Sequence, residues 1–550
     1  MKATFLSIVF LVLAVVVSAT THNQTTSSKH HNNSTAIAIA KAKSQNYIIQ
    51  IRRESKLEEF VHKVEDFFEN LLEEIADSLG DLISRDEDGM DKKFQVHDSY
   101  DIGGIFKAVG VKVADDRYLD RMSSLPDVTS IIPDDEIQFD LPYAEKRKID
   151  KRYYIRHVVL PNSSYQNNYA ENKTMSPVSA AAEQTHSSYS ANTSGWSSTI
   201  LPTSTDSSHK SKPTKVMASD NDDDDDIKYV EQSGSDTPWN LVRISERSKN
   251  YSLPYIYDQN AGKGVTVYVV DDGINIKHKD FEGRAKYGWS TFKSKLADRG
   301  NATASSYGSS SQEKSENTED GGGHGTHVAG IIAGKHYGVA KKANLVSVQV
   351  LGSNGKGTIS SLLGGVQWIM QQAQNSTSPI VVNMSLGVPK TTSGAKALNE
   401  AVEAAVEAGI PVIAAAGNSK CNACDIVPAG SKQVYTVGSI TKEDEMDPNS
   451  CYGRCLNILA PGYDVTSTYV GSDTAFATLS GTSQASPHVA GVAALLLPHM
   501  GDKVKPKDLY KMLDDLATPD MISDVPGAMT PNALVFNGQK KSADNTTKSN

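Results

Sequence analysis

Four residues of the sequence could together perform nucleophilic chemistry. A serine hydroxyl becomes a good nucleophile only beside a base such as histidine, which a third group must orient. An asparagine amide can donate a hydrogen bond to an oxyanion. The four residues, in chain order, are Asp271 after 265-VTVYVV-270, His324 in 321-GGGHGTHVAG-330, Asn418 after 411-PVIAAAG-417, and Ser483 in 479-LSGTSQASPHVAG-491. The co-occurrence of these four motifs in this order is specific and favours a serine nucleophile, although each motif alone is weak.

Each motif also has an ordinary structural interpretation. The Ser-Gly-Thr-Ser turn before a run of small apolar residues could simply cap a helix, since serine and threonine accept hydrogen bonds from free amide groups. An aspartate at the end of a strand often caps a turn, and a glycine-rich loop often only turns the chain. The sequence around Ser483 therefore predicts a nucleophile only together with the other three motifs.

The elements that must position these residues are apolar strands alternating with helices. The runs 265–270, 345–351, 380–386 and 411–417 are mostly apolar without strict alternation, which is typical of parallel strands buried on both faces. We therefore predict an α/β fold for residues 237–538, with a parallel sheet that has helices on both faces. Asp271 then lies at the carboxyl edge of this sheet, where ligand sites of such folds cluster. Residues 291–320 interrupt the pattern and predict a surface insertion.

The N-terminus has the features of a secretory signal. Residues 1–19 combine one lysine, a short apolar run and small residues at a cleavage site, and they are followed by a polar leader over 20–45. An uncleaved anchor is the alternative, but the run is short for a membrane span. No later run reaches membrane length, so we expect no stable membrane span and a location along the secretory pathway, extracellular, cell-wall or vacuolar.

Residues 46–140 predict a small α+β domain of the ferredoxin-like type. Strand and helix patterns follow one another in the order β-α-β-β-α-β, and the last strands, over 128–139, are expected to close the sheet. Residues 141–236 are rich in serine, threonine and acidic residues and predict a disordered linker. It carries the dibasic pairs Lys146-Arg147 and Lys151-Arg152, and a polar tail covers 539–550.

Charge and cysteine content restrict the partners and the compartment. The net charge is −10, so no basic surface for nucleic acid is expected. All four cysteines lie between Cys421 and Cys455, and secretion favours two disulfides, with three pairings open. A metal site is the alternative because Cys421 and Cys424 have ligand spacing. Sequons compatible with secretion begin at Asn162, Asn172, Asn192, Asn250, Asn301 and Asn375, whereas Asn383 should lie in the core and stay bare.

The motifs VVDDG, GHGTHVAG, AAAGN and SGTSQASPHVAG, in this order, resemble those of the subtilisin-like serine peptidases. Residues 335–358 and 530–538 are similar to the fungal proteinase K and cerevisin branch of that family. The resemblance covers nearly all of 237–538, and 46–140 resembles the inhibitory propeptide. It implies a secreted serine endopeptidase that is made as a zymogen, acts on polypeptides and is inhibited by its own propeptide. We also expect a monomer.

The resemblance also implies a role for each site residue. Ser483 would attack the scissile carbonyl, His324 would act as base and acid, Asp271 would orient the imidazole, and Asn418 would bind the oxyanion with the Ser483 amide. His327 is expected to be structural. The predicted substrate-binding residues, which pair with the peptide or line its path, are Gly355, Gly357, Ser385, Leu386, Gly387 and Asp272. For Asp272 two alternatives stay open, namely contact with a basic substrate side chain and capping of its own turn.

Comparison with the family adds a disulfide pairing, two departures and an expectation about cofactors. It favours Cys424–Cys455 with Cys421–Cys451 as its neighbour. Val388 replaces a glycine that is frequent in the family, and Asn457 replaces a carboxylate that helps to hold calcium in proteinase K. No cofactor is expected to be required, no metal ligand is assigned, and weakly bound calcium elsewhere is compatible with the sequence.

Two rival functions deserve comparison with this prediction. A kexin-like processing protease would also have Asp-Asp-Gly after its first strand, but no β-sandwich domain is predicted after the catalytic unit. An inactive subtilase that serves as a binding or wall protein is the second rival. The presence of all four reacting residues argues against it.

Overall fold

The computed structural model describes residues 45–79, 94–113, 116–139, 141–142, 228–234, 237–292, 321–501 and 504–539. The predicted signal peptide lies outside these residues, as do most of the leader, the linker, the insertion and the tail. The predicted domain boundaries therefore stay predictions. Among the described residues, no helix combines the length and apolar character that a membrane crossing needs.

The prosegment, as we name residues 46–140, contains a four-stranded antiparallel sheet within its described part. Its strand order is β2-β3-β1-β4. Helix α1 (Leu57–Leu79) packs its apolar side on this sheet through Phe60, Val64 and Phe68, which are all buried. The short helix α2 (Leu119–Ser123) follows a 3₁₀ turn. The strands are β1 (Asn46–Ile51), β2 (Phe94–Ile102), β3 (Phe106–Val113), β4 (Val128–Pro133) and β5 (Ile137–Gln138).

One prediction for the prosegment was wrong. Residues 128–139 were expected to close its sheet, but only β4 does so, by antiparallel pairing with β1. Strand β5 instead pairs antiparallel with Lys356–Gly357 of the larger unit, and the Phe139 amide donates to the Gly355 carbonyl over 2.9 Å. The end of the prosegment is thus an extra strand on the predicted substrate-binding segment.

The main sheet of the larger unit confirms the predicted α/β class. Among the described residues it has nine strands in the order β20-β21-β17-β16-β14-β12-β8-β10-β9, and every pair except β20 with β21 is parallel. Its strands are β8 (Thr266–Asp271), β9 (Ala285–Ser290), β10 (Asn344–Gln349), β12 (Ile380–Met384), β14 (Val412–Ala415), β16 (Tyr435–Ile440), β17 (Ile458–Pro461), β20 (Thr518–Pro519) and β21 (Ala533–Leu534).

Short strands form ribbons around this sheet. They pair antiparallel as β6 with β7, β13 with β15 and β18 with β19, while β11 takes the prosegment strand. Their bounds are β6 (Tyr229–Gln232), β7 (Tyr255–Asp258), β11 (Lys356–Gly357), β13 (Val388–Pro389), β15 (Ile426–Val427), β18 (Val465–Thr468) and β19 (Phe476–Leu479).

Both faces of the main sheet are buried, as its apolar strands predict. In β8, Val267 and Val269 belong to one apolar cluster, whereas Tyr268 and Val270 belong to the cluster on the other face. Alternate side chains of a strand point to opposite faces, so such a strand needs apolar residues throughout. The remaining helices are α3 (Trp239–Ser245), α4 (His324–Ala333), α5 (Ile359–Gln374), α6 (Ala395–Glu407), α7 (Thr482–Leu496) and α8 (Pro506–Leu516).

Helix α7 lies in the core, and its small residues permit close packing. A β-carbon on Gly491 would lie 2.6 Å from Cβ of Val339, closer than two such atoms can approach. All of Thr482–Leu495 is buried. The alanine and glycine residues after Ser483 therefore permit tight contact with neighbouring elements, which fixes the helix whose first turn carries the predicted nucleophile.

The cysteines and sequons follow the predictions where the structure describes them. Two disulfides join Cys421 to Cys451 and Cys424 to Cys455, which is the pairing favoured by the family resemblance. Asn383 is buried, with its amide hydrogen-bonded to Ser385, whereas Asn250 and Asn375 are exposed. The sequons at Asn162, Asn172, Asn192 and Asn301 lie outside the described residues.

Candidate active site

Asp271 and His324 meet at the carboxyl edge of the main sheet. Asp271 is the last residue of β8, His324 is the first residue of α4, and both are fully buried. His324 Nδ1 lies 2.8 Å from Asp271 Oδ1, so an imidazole protonated on Nδ1 donates to the carboxylate and leaves Nε2 as the acceptor. Burial alone would lower the pKa of His324, but the charge and hydrogen bond of Asp271 outweigh it and raise that pKa.

Asp272 caps the helix that carries His324. Its carboxylate accepts hydrogen bonds from the amides of Gly322 (2.8 Å), His324 (3.3 Å) and Gly325 (2.7 Å), and its side chain is fully buried. Burial, followed by the nearby charge of Asp271, raises the pKa of Asp272 to about 7. This arrangement favours the capping alternative for Asp272 over contact with a basic substrate side chain, and with it weakens the kexin-like comparison.

Ser483 lies in the first turn of α7, at the helix N-terminus. The helix begins at Thr482, after Gly481 with φ of 147°. Because the first turn of a helix has amide groups without helical acceptors, it concentrates donors and partial positive charge. The Ser483 hydroxyl donates to the Ser385 carbonyl over 3.0 Å, so one predicted substrate-binding residue contacts the predicted nucleophile directly.

Asn418 is held beside this helix start by Thr482. Its Oδ1 accepts from the Thr482 amide over 2.8 Å and from the Thr482 hydroxyl over 2.9 Å. The Thr482 hydroxyl in turn accepts from the Gly417 amide. Because Oδ1 is engaged in this way, the orientation of the carboxamide is fixed and its Nδ2 remains available as a donor.

Gln484 is the residue next to Ser483, and it is fully buried. Among the described residues, neither polar atom of its carboxamide has a hydrogen-bond partner. Its backbone carbonyl accepts from His488 Nδ1 over 2.8 Å, which ties it into the helix.

The predicted substrate-binding residues belong to two segments of the chain, 355–357 and 385–387. Gly357 belongs to β11 and pairs with Ile137 of the prosegment, and Gly355, directly before β11, accepts from the Phe139 amide. Leu386 is buried, and a β-carbon on Gly387 would lie 2.8 Å from Cγ2 of Ile426. The Ser385 hydroxyl donates to the Ser483 carbonyl over 2.9 Å, which fixes the Ser385 side chain.

Other predicted residues have structural contacts. His327 is buried, with Nε2 within 3.1 Å of the carbonyls of Val465 and Ala477, so it joins α4 to the β18–β19 ribbon. Asn457 uses its Oδ1 to accept from the Thr436 amide. The described residues contain no group of three or more His, Cys, Asp or Glu placed to hold a metal ion, so calcium binding stays a prediction without assigned ligands.

Two groups in this site were not predicted from the sequence. Thr482, which orients Asn418, is one of them, and its signal was its place directly before Ser483 in SGTS. The other is a buried hydrogen-bond network in which Ser486 Oγ donates to Asn383 Oδ1 and lies 3.1 Å from Ser385 Oγ. Residues 383 and 486 are far apart in sequence, so no local pattern could indicate this contact.

The fold and the site together define a subtilisin-like α/β protein, and residues 262–528 match the model described as the subtilase family. The chain belongs to this family, as the resemblance of its motifs predicted. A subtilisin-like serine protease of Rhodotorula mucilaginosa, Rho m 2.0101, is 42% identical over 319 residues, which span 55% of this chain and 86% of that protein.

Two further proteins are similar to this chain. Cerevisin of Saccharomyces cerevisiae is 42% identical over 322 residues, which cover 55% of this chain but only 47% of cerevisin. The chain therefore matches about half of cerevisin's length. A solved structure of a cold adapted subtilisin-like serine proteinase is 38% identical, with a TM-score of 0.46, and covers 56% of this chain and 100% of that chain.

Proposed function

We propose that this chain is a serine endopeptidase of the secretory pathway that hydrolyses peptide bonds through an acyl-enzyme. In this proposal Ser483 attacks the scissile carbonyl, and His324 takes its proton and later gives it to the leaving amine. Asp271 holds the imidazole in the useful tautomer and stabilises the imidazolium. The 2.8 Å contact between Asp271 and His324, both fully buried, supports these roles. For proton transfer, the Ser483 hydroxyl turns from the Ser385 carbonyl to His324 Nε2.

The oxyanion would be bound by Asn418 Nδ2 and the Ser483 amide. Support comes from Thr482, whose two hydrogen bonds to Oδ1 fix the orientation of the carboxamide before any substrate arrives. A preorganised donor stabilises the charge that develops in the transition state without further reorganisation. Loss of one such donor typically costs about 10²–10³ in kcat.

The chain would be made as a zymogen that its own prosegment inhibits. The single observation that carries this proposal, and the endopeptidase activity with it, is the antiparallel pairing of β5 with Lys356–Gly357. A peptide that adds a strand to an exposed edge is recognised through its backbone. Here the added strand belongs to the prosegment, and Phe139 beyond it is buried among apolar residues of the larger unit. Substrates would therefore be polypeptides that bind in extended form.

Further contacts hold the folded prosegment on the larger unit. The Asp101 amide donates to Gln367 Oε1 over 2.8 Å, and Gln367 Nε2 donates to the Ser99 carbonyl over 3.1 Å. Apolar prosegment residues such as Ile102 and Phe106 join the same cluster as helices α5 and α6. An inhibitor that is attached at several places stays bound while the chain is exported, and it does not act as a simple substrate.

The chain would follow the secretory route and act as a monomer. Two disulfides and two exposed sequons are compatible with an oxidising, glycosylating compartment. No cofactor is required by the proposed chemistry. The location would be extracellular, in the cell wall or vacuolar.

The test is expression of the full chain beside its Ser483→Ala variant. Wild type should react with a fluorophosphonate probe, release its prosegment and cleave casein, whereas the variant should do none of these. Ser472→Ala, which removes a hydroxyl outside the candidate site, is the matched control and should behave as wild type. Labelling and processing that persist in Ser483→Ala would refute the proposed nucleophile.

A further inference from the structure

A lysine lies on the strand that receives the prosegment, and it is paired with an acidic residue. Lys356 belongs to β11, and its backbone pairs with Gln138. Its Nζ lies 2.6 Å from Oε1 of Glu136, and Glu136 is the residue directly before β5. The side chains of Lys356 and Glu136 are 42% and 59% exposed, so the ion pair is accessible to solvent.

The register of β5 fixes where the acidic residue must lie. Ile137 pairs with Gly357, and the Phe139 amide bonds to the Gly355 carbonyl. Gln138 adds a side-chain bond from its Nε2 to the Asn354 carbonyl over 3.1 Å. Any extended peptide that binds in the same register has one residue in the place of Glu136, beside the amine of Lys356.

We propose that Lys356 is a specificity-determining residue that selects peptides with an acidic side chain at the position of Glu136. The inference rests on the proposed function, because it assumes that substrates take the place of β5 after the prosegment leaves. Lys356 presents its ammonium group as a point charge on a flexible stem, which attracts a carboxylate and repels a basic side chain.

A second acidic residue of the prosegment shows that contact with the larger unit is not sufficient for such a role. Asp134 accepts from the amide of Ser360 over 2.9 Å and from its hydroxyl over 2.5 Å, at the N-terminus of α5. However, Asp134 is buried, and its own amide donates to the Asn46 carbonyl within the prosegment sheet. A linear peptide lacks that sheet, so the contact with Ser360 docks the folded prosegment and does not select substrates.

The experiment uses enzyme activated from the full chain and three internally quenched peptides. The peptides share an Ile-Gln-Phe core and carry Glu, Gln or Lys directly before the isoleucine, and mass spectrometry verifies that all are cut at the same bond. For an exposed ion pair we expect kcat/KM to favour Glu over Gln by about two- to fivefold. The Lys peptide should be the poorest, and concentrated sodium chloride should reduce the differences.

Variants assign the preference to one side chain. Lys356→Glu should make kcat/KM higher for the Lys peptide than for the Glu peptide, whereas Lys356→Gln should give similar values for both. Lys511→Glu is the matched control, because Lys511 is an exposed lysine paired with Asp515 on the distant helix α8. Ser360→Ala should keep the wild-type order of peptides but release the prosegment faster.

The possible results separate this inference from the proposed function. Active enzyme that cleaves the three peptides equally would overturn the role of Lys356 while leaving the endopeptidase proposal intact. A change of the same size in Lys511→Glu would also overturn it, since net charge would then explain the effect. Absence of both fluorophosphonate labelling and cleavage would instead overturn the proposed function.

Discussion

Thr482→Val should slow catalysis by disturbing Asn418, although Thr482 itself does not react. The threonine hydroxyl donates to Asn418 Oδ1 over 2.9 Å and accepts from the Gly417 amide over 3.1 Å. Valine has nearly the same shape, so the substitution removes the hydroxyl and little volume. The Thr482 amide still donates to Oδ1 over 2.8 Å, and the carboxamide therefore keeps one of its two restraints.

The size of the effect follows from these bonds. One net hydrogen bond contributes about 1 kcal/mol, and 1.36 kcal/mol corresponds to tenfold in rate, so we expect kcat to fall about fivefold. Asn418→Ala removes the donor itself and should cost about 10²–10³. KM should change little, because the oxyanion exists only in the transition state and its immediate neighbours on the pathway. The Gly417 amide loses an acceptor, so stability should fall by about 1–3 kcal/mol.

The assay is a double-mutant cycle on kcat. Wild type, Thr482→Val, Asn418→Ala and the double variant are compared with one peptide substrate, after active sites have been titrated and thermal unfolding has been recorded. If Thr482 acts through Asn418, the double variant should be as slow as Asn418→Ala alone. Thr466→Val, which breaks a threonine pair on the β18–β19 ribbon, is the control. Additive losses in the double variant, or a raised KM with unchanged kcat, would refute the reasoning.

Three other predictions concern the prosegment and the surroundings of the site. Parallel sheets with high contact order fold slowly, so residues 237–550 expressed alone should give little active enzyme until 46–140 is added in trans, and efficient unaided folding would contradict this. The pKa of Asp272, about 7 when folded, exceeds its ordinary value, so its stabilising contribution is complete at acidic pH and is lost as pH rises towards neutrality. In an otherwise inactive Ser483→Ala chain, Asp272→Asn should therefore flatten the fall in urea midpoint between acidic and neutral pH, and an unchanged slope would argue against it. Gln484 has no sulfur to oxidise, so wild type should keep most of its activity in peroxide whereas Gln484→Met loses it, and equal losses would end that argument.

The parts of the fold that depend on local pattern could be predicted from the sequence. The run 265-VTVYVV-270 forms β8 because both of its faces are buried in apolar clusters, which is what a continuous apolar run requires. Its position in a parallel sheet placed Asp271 at the carboxyl edge, where the structure brings it to His324. Residues far apart in sequence could be grouped in this way because parallel strands share one edge for their carboxyl ends.

Contacts that depend on distant segments could not be predicted. Strand β5 has two residues, and its pairing with β11 joins segments more than 200 residues apart. The pattern of 128–139 favours a strand but does not say which sheet edge receives it. Three contacts with the larger unit select the edge. Phe139 packs in an apolar cluster, Glu136 pairs with Lys356, and Asp134 accepts from the first turn of α5.

The Asp-Asp-Gly sequence holds His324 at two points, its imidazole and its backbone amide. Asp271 fixes the imidazole of His324 through Nδ1, whereas Asp272 fixes the backbone of the same residue through its amide. For this, the loop after β8 must approach α4 very closely. A β-carbon on Gly325 would lie 2.3 Å from the Gly273 carbonyl oxygen, and Gly273 itself has φ of 114°. Gly325, the second glycine of Gly-His-Gly-Thr-His, thus permits the close approach that brings both carboxylates to His324. A substitution of Gly325 should therefore displace His324 even though it removes none of the four candidate site residues.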